Sequence, residues 1–322
     1  MILNKVESFT EKEDGFEIFG LRNEFVEIKI VPELGGRILS LRDRRSGREW
    51  MDRPHGQALF RNDYGDDFAS GTFAGADECI PTIAPVRWRG RDLPDHGEIW
   101  ALGWSLDESL FREGMIKTSV DLPVSPFTFS RTITLCGERV LLDYEVTNRG
   151  EQEEFFLSAH HPLYALEPGD ELHLPAEVQE VFVSGSAGKV ECLPETRWRW
   201  PEPKPGIHLG NLDLGGEGYA KFFAGPLQQG EAALVNRRTG AGLEVSWDPL
   251  QNPWLGIWLT RGAYKGFHHL AIEPTNGCGD SLDALVPDSS ESNHGRAPAP
   301  LPPGASRSWQ IEICLTHHPR TL

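Results

Sequence analysis

The sequence predicts an all-β chain of antiparallel strands, on three observations. Apolar and polar residues alternate with a period of two over many short segments. Glycine and proline, 34 and 24 of 322 residues, interrupt those segments at short intervals. Long helical periodicity is hard to find. In chain order, Val26-Glu27-Ile28-Lys29-Ile30 alternates first. Phe127, Phe129, Ile133 and Leu135 share one parity, with Thr128, Ser130, Thr132 and Thr134 on the other. Val140, Leu142, Tyr144 and Val146 then alternate with Asp143, Glu145 and Thr147, and Asn148-Arg149-Gly150 makes a turn. Leu243, Val245 and Trp247 form another such set, and Trp309, Ile311, Ile313 and Leu315 the last. Successive strand side chains point to opposite faces, so each segment reads as half-buried. Val286 to Ser306, rich in Pro, Ser and Ala, lacks apolar periodicity. A strand follows it, so it reads as a long surface loop and not a domain boundary. No repeat of roughly 20–50 residues is visible, which argues against a propeller. One β-sandwich domain spanning 1–322 is the economical architecture.

Composition narrows the partners. Hydrophobic content of 39% supplies a sizeable core, and a formal net charge of −17 offers no footprint for nucleic acid or an anionic membrane. Neutral or cationic small ligands suit it better. No apolar run approaches the ~20 residues of a membrane helix. Met1 to Gly15 is charged, without the apolar centre of a signal peptide. Cys79, Cys136, Cys192, Cys278 and Cys314 form no CxxC pair, so neither a disulfide framework nor a cysteine zinc site is expected. The expectation is a reduced, cytoplasmic protein.

Standard nucleophile and phosphate motifs are missing. Gly185-Ser186-Ala187-Gly188-Lys189 superficially looks like a phosphate loop, but Val183 and Val190 replace its first Gly and its Ser/Thr. Four other segments place polar residues in unusual settings. In Asp95-His96-Gly97-Glu98-Ile99-Trp100, either His96 and Trp100 present an imidazole and a ring face to a ligand, or His96 is a solvated loop residue. In Ser158-Ala159-His160-His161-Pro162-Leu163-Tyr164, only one histidine can face a given cavity, and Pro162 should end the ladder. A strand-end histidine there suits proton transfer, or both cap backbone groups. Glu273, before Pro274 at the end of an apolar stretch, is either a general base or an edge-strand ion-pair partner. Asp77-Glu78, in a Gly-flanked loop, either binds sugar hydroxyls or a cation, or is a solvated acidic turn. Ten tryptophans include several near these segments, most of them expected in the core.

Taken together, these segments resemble the aldose 1-epimerase (galactose mutarotase-like) family over most of the chain. Leu34-Gly35-Gly36-Arg37-Ile38-Leu39-Ser40-Leu41 and Ser46-Gly47-Arg48-Glu49-Trp50 look like its early strand pair and turn. The strings at 75–85, 95–100, 158–164 and 271–277 follow in the family's order. The resemblance implies a large antiparallel β-supersandwich with the sugar on its concave face, and an isomerase interconverting sugar anomers. It places Glu273 on the base that takes the anomeric proton, and His161 on the acid that protonates the ring oxygen. His96 falls on the histidine that hydrogen-bonds the sugar. Asp77, Glu78 and Trp100 are expected to contact substrate. No cofactor and no metal are expected.

This chain departs from the family in having Asp77-Glu78 where an Arg-Asn sugar clamp belongs. The family's substrate-binding Asp finds only Asp213 as a candidate. The alternatives are a non-catalytic carbohydrate-binding protein on the same fold and a hexose-phosphate 1-epimerase. Retention of both His motifs and the Glu favours the enzyme. The scarcity of basic residues near the motifs argues against a phosphorylated substrate.

Overall fold

The computed structural model describes residues 5–53, 57–191, 194, 196–212, 217–286 and 296–317. Two antiparallel sheets dominate them. In the order of hydrogen-bonded neighbours, the 12-stranded sheet begins with Glu7–Glu13, Phe16–Arg22, Val26–Val31, Arg37–Asp43 and Ala76–Cys79. It continues through Ala159–Pro162, His268–Thr275, Trp254–Arg261, Gly218–Ala224 and Glu180–Gly188 to Thr196–Arg199, with Tyr164–Ala165 pairing beside His268–Thr275. The 8-stranded sheet is centred on Gly242–Trp247, Ser306–Thr316, Arg139–Asn148 and Phe127–Cys136. Every strand expected from the alternation is present. Among the described residues, α-helix is confined to two short turns, Glu108–Arg112 and Leu282–Leu285, and none could cross a membrane. Part of the expected loop, 287–295, lies outside the described residues, and the flank at 296–305 carries no strand.

The alternation becomes a core. Phe127–Cys136 pairs with Arg139–Asn148 over its whole length, Phe127 opposite Asn148 and Cys136 opposite Arg139. Its odd-numbered positions, 127 to 135, are all buried. They pack with Leu142 and Ile313 of the same sheet against Ile28, Ile38, Ile257 and Ile272 of the larger one, in one apolar cluster. Burying such a side chain contributes about 1.5–3 kcal/mol.

One of those odd-numbered positions is Arg131, fully buried. Its guanidinium donates to Glu78 Oε1 at 2.8 Å and to the Gly36 carbonyl. The Tyr144 hydroxyl donates to the same Glu78 oxygen at 2.9 Å, and His160 Nδ1 lies 3.0 Å from it. Burial alone would raise the Glu78 carboxyl, but His160 and Arg131 outweigh it and hold the group below its ordinary value. The cluster pins Ala76–Cys79 and Ala159–Pro162 to the smaller sheet through the middle of the sandwich.

Glu78→Gln would leave the Arg131 guanidinium buried without its counter-charge, and a loss of about 3–5 kcal/mol in urea unfolding is expected. The depressed carboxyl pKa fixes the sign with pH. The contribution is present above the unfolded-state value near 4.5 and is lost as pH falls through the lower folded value. A loss below about 1 kcal/mol at neutral pH would remove the cluster from the account of stability.

Candidate functional site

Three neighbouring strands build the floor of a cavity on the face of the large sheet turned away from the core. His161 pairs with Asp77 and Ala159 with Cys79, while Ala159 also pairs with Thr275 on the other side. The pleat therefore puts Asp77, Cys79, His161, Glu273 and Thr275 on one face, and Glu78 and His160 on the other. Asn276 ties the end of the Glu273 strand to the segment that leads into the middle strand, its amide accepting from Ser158 N at 2.9 Å and donating to the Phe156 carbonyl at 2.9 Å. Gly256 opposite Glu273, Trp258 opposite Ala271 and Lys221 opposite Trp258 extend the same face.

A loop brings the second imidazole. His96 has a left-handed backbone, φ 56°, and its ring stacks on Phe68 with centroids 3.9 Å apart. Asp95 orients it. One carboxylate oxygen lies 2.9 Å from His96 Nδ1, and the other accepts from Phe68 N at 3.0 Å. Glu98 fastens the loop from below by accepting from Val124 N and Ser125 N at 2.7 and 3.1 Å. Gly97, at φ 79°, bridges to Ile80, where an added Cβ would stand 2.1 Å from the Ile80 carbonyl oxygen. Glycine is required there.

The result is a cavity of about 400 Å³ in which His96, His161 and Lys221 meet aromatic walls from Phe68, Phe73, Tyr219, Trp258 and Tyr264. The His96 and His161 ring centroids lie 5.0 Å apart. His161 Nε2 is 3.9 Å from Glu273 Oε1, and the other Glu273 oxygen accepts from the Lys221 ammonium. Neither His161 Nδ1 nor Glu273 Oε1 has a hydrogen-bond partner in the protein. Trp258 is held by a relay in which its Nε1–H donates to His269 Nε2 at 3.0 Å, and His269 Nδ1 lies 3.1 Å from Asp52.

Burial lowers the His161 pKa well below the usual imidazole range, and the charges of His96 and Lys221 add to it, so the ring is neutral near pH 7. Burial would depress Lys221 as well, but Glu273 and Asp280 outweigh it and keep the ammonium charged. Burial and the Glu273 charge hold the Cys79 thiol protonated.

The sequence-expected residues divide in two. His96, His161 and Glu273 come together although 177 positions separate the outer two. Of the six, His96 and His161 line the cavity, whereas Glu273, fully buried against Lys221, and Asp77, Glu78 and Trp100, expected to contact substrate, are not among its lining residues. Asp77 is buried in an ion pair with Arg37 Nε at 3.0 Å, Glu78 belongs to the core cluster, and Trp100 lies under the loop, donating to the Asp95 carbonyl at 2.9 Å. Their carboxylates and ring are engaged by protein partners around the site. Asp213 lies outside the described residues. Lys221, Trp258 and Asp280 line the cavity without having been singled out as ligands. The available signals were Lys221 sharing parity with Tyr219 and Phe223, and Asp280 in a Gly-Cys-Gly-Asp turn after the Glu273 strand.

Neither a protein-family model nor a curated protein sequence matches this chain. Solved structures do, and they define the class: this is the galactose mutarotase-like fold. A galactose mutarotase-like protein from Clostridium acetobutylicum matches with a TM-score of 0.71 at 12% identity, over 97% of this chain and 98% of that one. A galactose mutarotase related enzyme from Lactobacillus acidophilus matches at 0.66 and 14% identity, over 98% and 100%. The Slr1438 protein from Synechocystis sp. PCC 6803 matches at 0.67 and 16% identity, over 99% and 98%. At such identities the likeness speaks for the fold, and chemistry must be argued from the cavity.

The Gly97 contact gives a direct check on the loop. Gly97→Ala is expected to cost about 1–3 kcal/mol through backbone strain and the Ile80 clash. It should also move the His96 resonances in an NMR spectrum. Unchanged stability would mean that the loop is not stitched to Ile80.

Proposed function

We propose that the protein is an aldose 1-epimerase-type isomerase, one domain throughout, that interconverts the anomers of a free sugar in this cavity. The observation that carries the reading is the facing pair, Glu273 Oε1 and His161 Nε2, 3.9 Å apart, with His161 lining the cavity and Glu273 buried beside it. The anomeric hydroxyl and the ring oxygen of a sugar share one carbon, so a base and an acid serving both must be neighbours. Glu273 takes the hydroxyl proton while His161 gives one to the ring oxygen. The C1–O5 electron pair goes to that oxygen, and a free aldehyde results. C1 turns, and the reverse transfer closes the ring on its other face. His96, oriented by Asp95, donates or accepts a hydrogen bond beside the reacting centre. Trp258 and Tyr219 offer ring faces to the apolar side of the sugar. Asp280, whose Oδ1 has no protein partner, accepts from a sugar hydroxyl.

The aromatic wall alone would serve a non-catalytic carbohydrate-binding protein equally well, and the facing acid and base separate the two readings. Exchange NMR across a panel of free sugars tests them. Glu273→Gln keeps the size and hydrogen bonding of the side chain but removes the base, so kcat should fall about 10²–10⁴-fold with KM little changed. His161→Gln should do the same, and the double variant should lose little more, because each group is useful only when the other acts. Wild-type rates in Glu273→Gln would end this mechanism.

Proton transfer also requires one proton on the Glu273–His161 pair, and His161 starts neutral. The active form is therefore one proton richer than the resting form. As pH falls below the ordinary imidazole value of 6.5, kcat/KM is expected to rise towards the depressed His161 pKa. A profile that falls steadily over that range would exclude His161 as the acid.

A further inference from the structure

We propose that Cys79, His96 and His161 form a binding site for one divalent ion of the zinc class on the cavity floor. One ligand atom from each of the three lies within 4.8 Å of the others. Tetrahedral zinc, with bonds of about 2.3 Å to sulfur and 2.0–2.1 Å to nitrogen, holds such atoms roughly 3.4–3.6 Å apart. Closing the site therefore needs about an ångström of side-chain movement.

Local structure aims all three groups at one point. Cys79 and His161 are diagonal neighbours on paired strands and share the cavity face. His96 arrives from the loop that Gly97 and Ile80 stitch to the end of the Cys79 strand. Its Nδ1 is engaged by Asp95 at 2.9 Å, which leaves Nε2 as the free lone pair. A carboxylate–imidazole–metal arrangement of this kind fixes the ligand's tautomer and raises its basicity. His161 Nδ1 has no protein partner. A thiol and two imidazoles select a borderline-soft ion over magnesium or calcium. Binding would expel the thiol proton to solvent. Three protein ligands leave the fourth position open, and the cavity lies on that side.

This goes beyond the isomerase reading, and it names ligands that no Cys spacing in the sequence suggests. The two are linked, because zinc would occupy the lone pairs that proton transfer needs and would inhibit it. That consequence rests on the isomerase reading, whereas the binding does not.

The test uses metal-free full-length protein titrated with Co²⁺ alone, then with Zn²⁺ followed by dialysis and elemental analysis. One equivalent of cobalt should produce thiolate-to-cobalt charge-transfer absorption and tetrahedral ligand-field bands, and one zinc should be retained. Cys79→Ser should abolish the charge transfer, whereas Cys136→Ser and Cys314→Ser should keep it. If Cys79→Ser fails to fold, as judged by circular dichroism, Asp95→Asn carries the test. It should lower zinc affinity about 10–100-fold by releasing His96. Absent bands, bands that survive in Cys79→Ser, or unchanged affinity in Asp95→Asn would overturn the site. Anomerisation measured in parallel separates the two readings. Cobalt bands without activity in any metal state would sink the isomerase and leave the site, and activity indifferent to zinc without bands would do the reverse.

Discussion

Two adjacent dipeptides, Asp77-Glu78 and His160-His161, lie side by side on paired strands, and the pleat sends one member of each to either face. Glu78 and His160 enter the core, where Arg131 and Tyr144 meet them; Asp77 and His161 turn to the cavity side. A slip of one residue would exchange the two sets and put the shorter Asp77 side chain where Glu78 now reaches Arg131, Tyr144 and His160. The core cluster therefore acts as a register lock. Everything on the cavity floor inherits its position from that lock, including Cys79 and, through Ala159 and Thr275, Glu273.

On the cavity side, the same enclosure that positions the groups also sets their charges. Lys221 stays charged because Glu273 and Asp280 surround it, and its charge in turn helps keep His161 neutral. The floor thus brings an ammonium–carboxylate pair, Lys221 and Glu273, beside the neutral His161 ring, with the His96 ring next to it. Groups arranged in this way can pass a proton between two oxygens of one sugar carbon. They can equally converge on a single soft cation. Both capacities come from unpaired nitrogen lone pairs held close together, so a ligand using one excludes the other.

Period-two alternation made the strands legible, because each burial choice is local to its own segment. His96, His161 and Glu273 were legible through motif order, and their meeting is a matter of strand adjacency in the large sheet. What could not be read was which face each residue takes once distant strands pair. Asp77 and Glu78 look like an open acidic turn until Arg37 and Arg131, 40 and 53 positions away, are placed against them. Trp100 and Trp258 are equivalent in the sequence. One lies under a loop and the other forms a wall, because Trp258 shares the face of Glu273 through its pairing with Ala271. Lys221 shares parity with Tyr219 and Phe223 in the sequence, but only the strand pairing sets it opposite Trp258.

The charge of the cavity bears on what it can hold. Among its described lining residues, Asp67, Asp95 and Asp280 stand against one ammonium, Lys221, and that ammonium is already engaged by Glu273. A phosphorylated sugar would have to shed its hydration beside three carboxylates and find no guanidinium fork or free ammonium in return. A neutral ring faces no such cost. Its hydroxyls can use Asp280 and His96, and its apolar face can cover Trp258, within a volume of about 400 Å³ that suits one small ligand. The acidity of the whole chain and the arrangement of this one cavity therefore both weigh against a phosphorylated ligand.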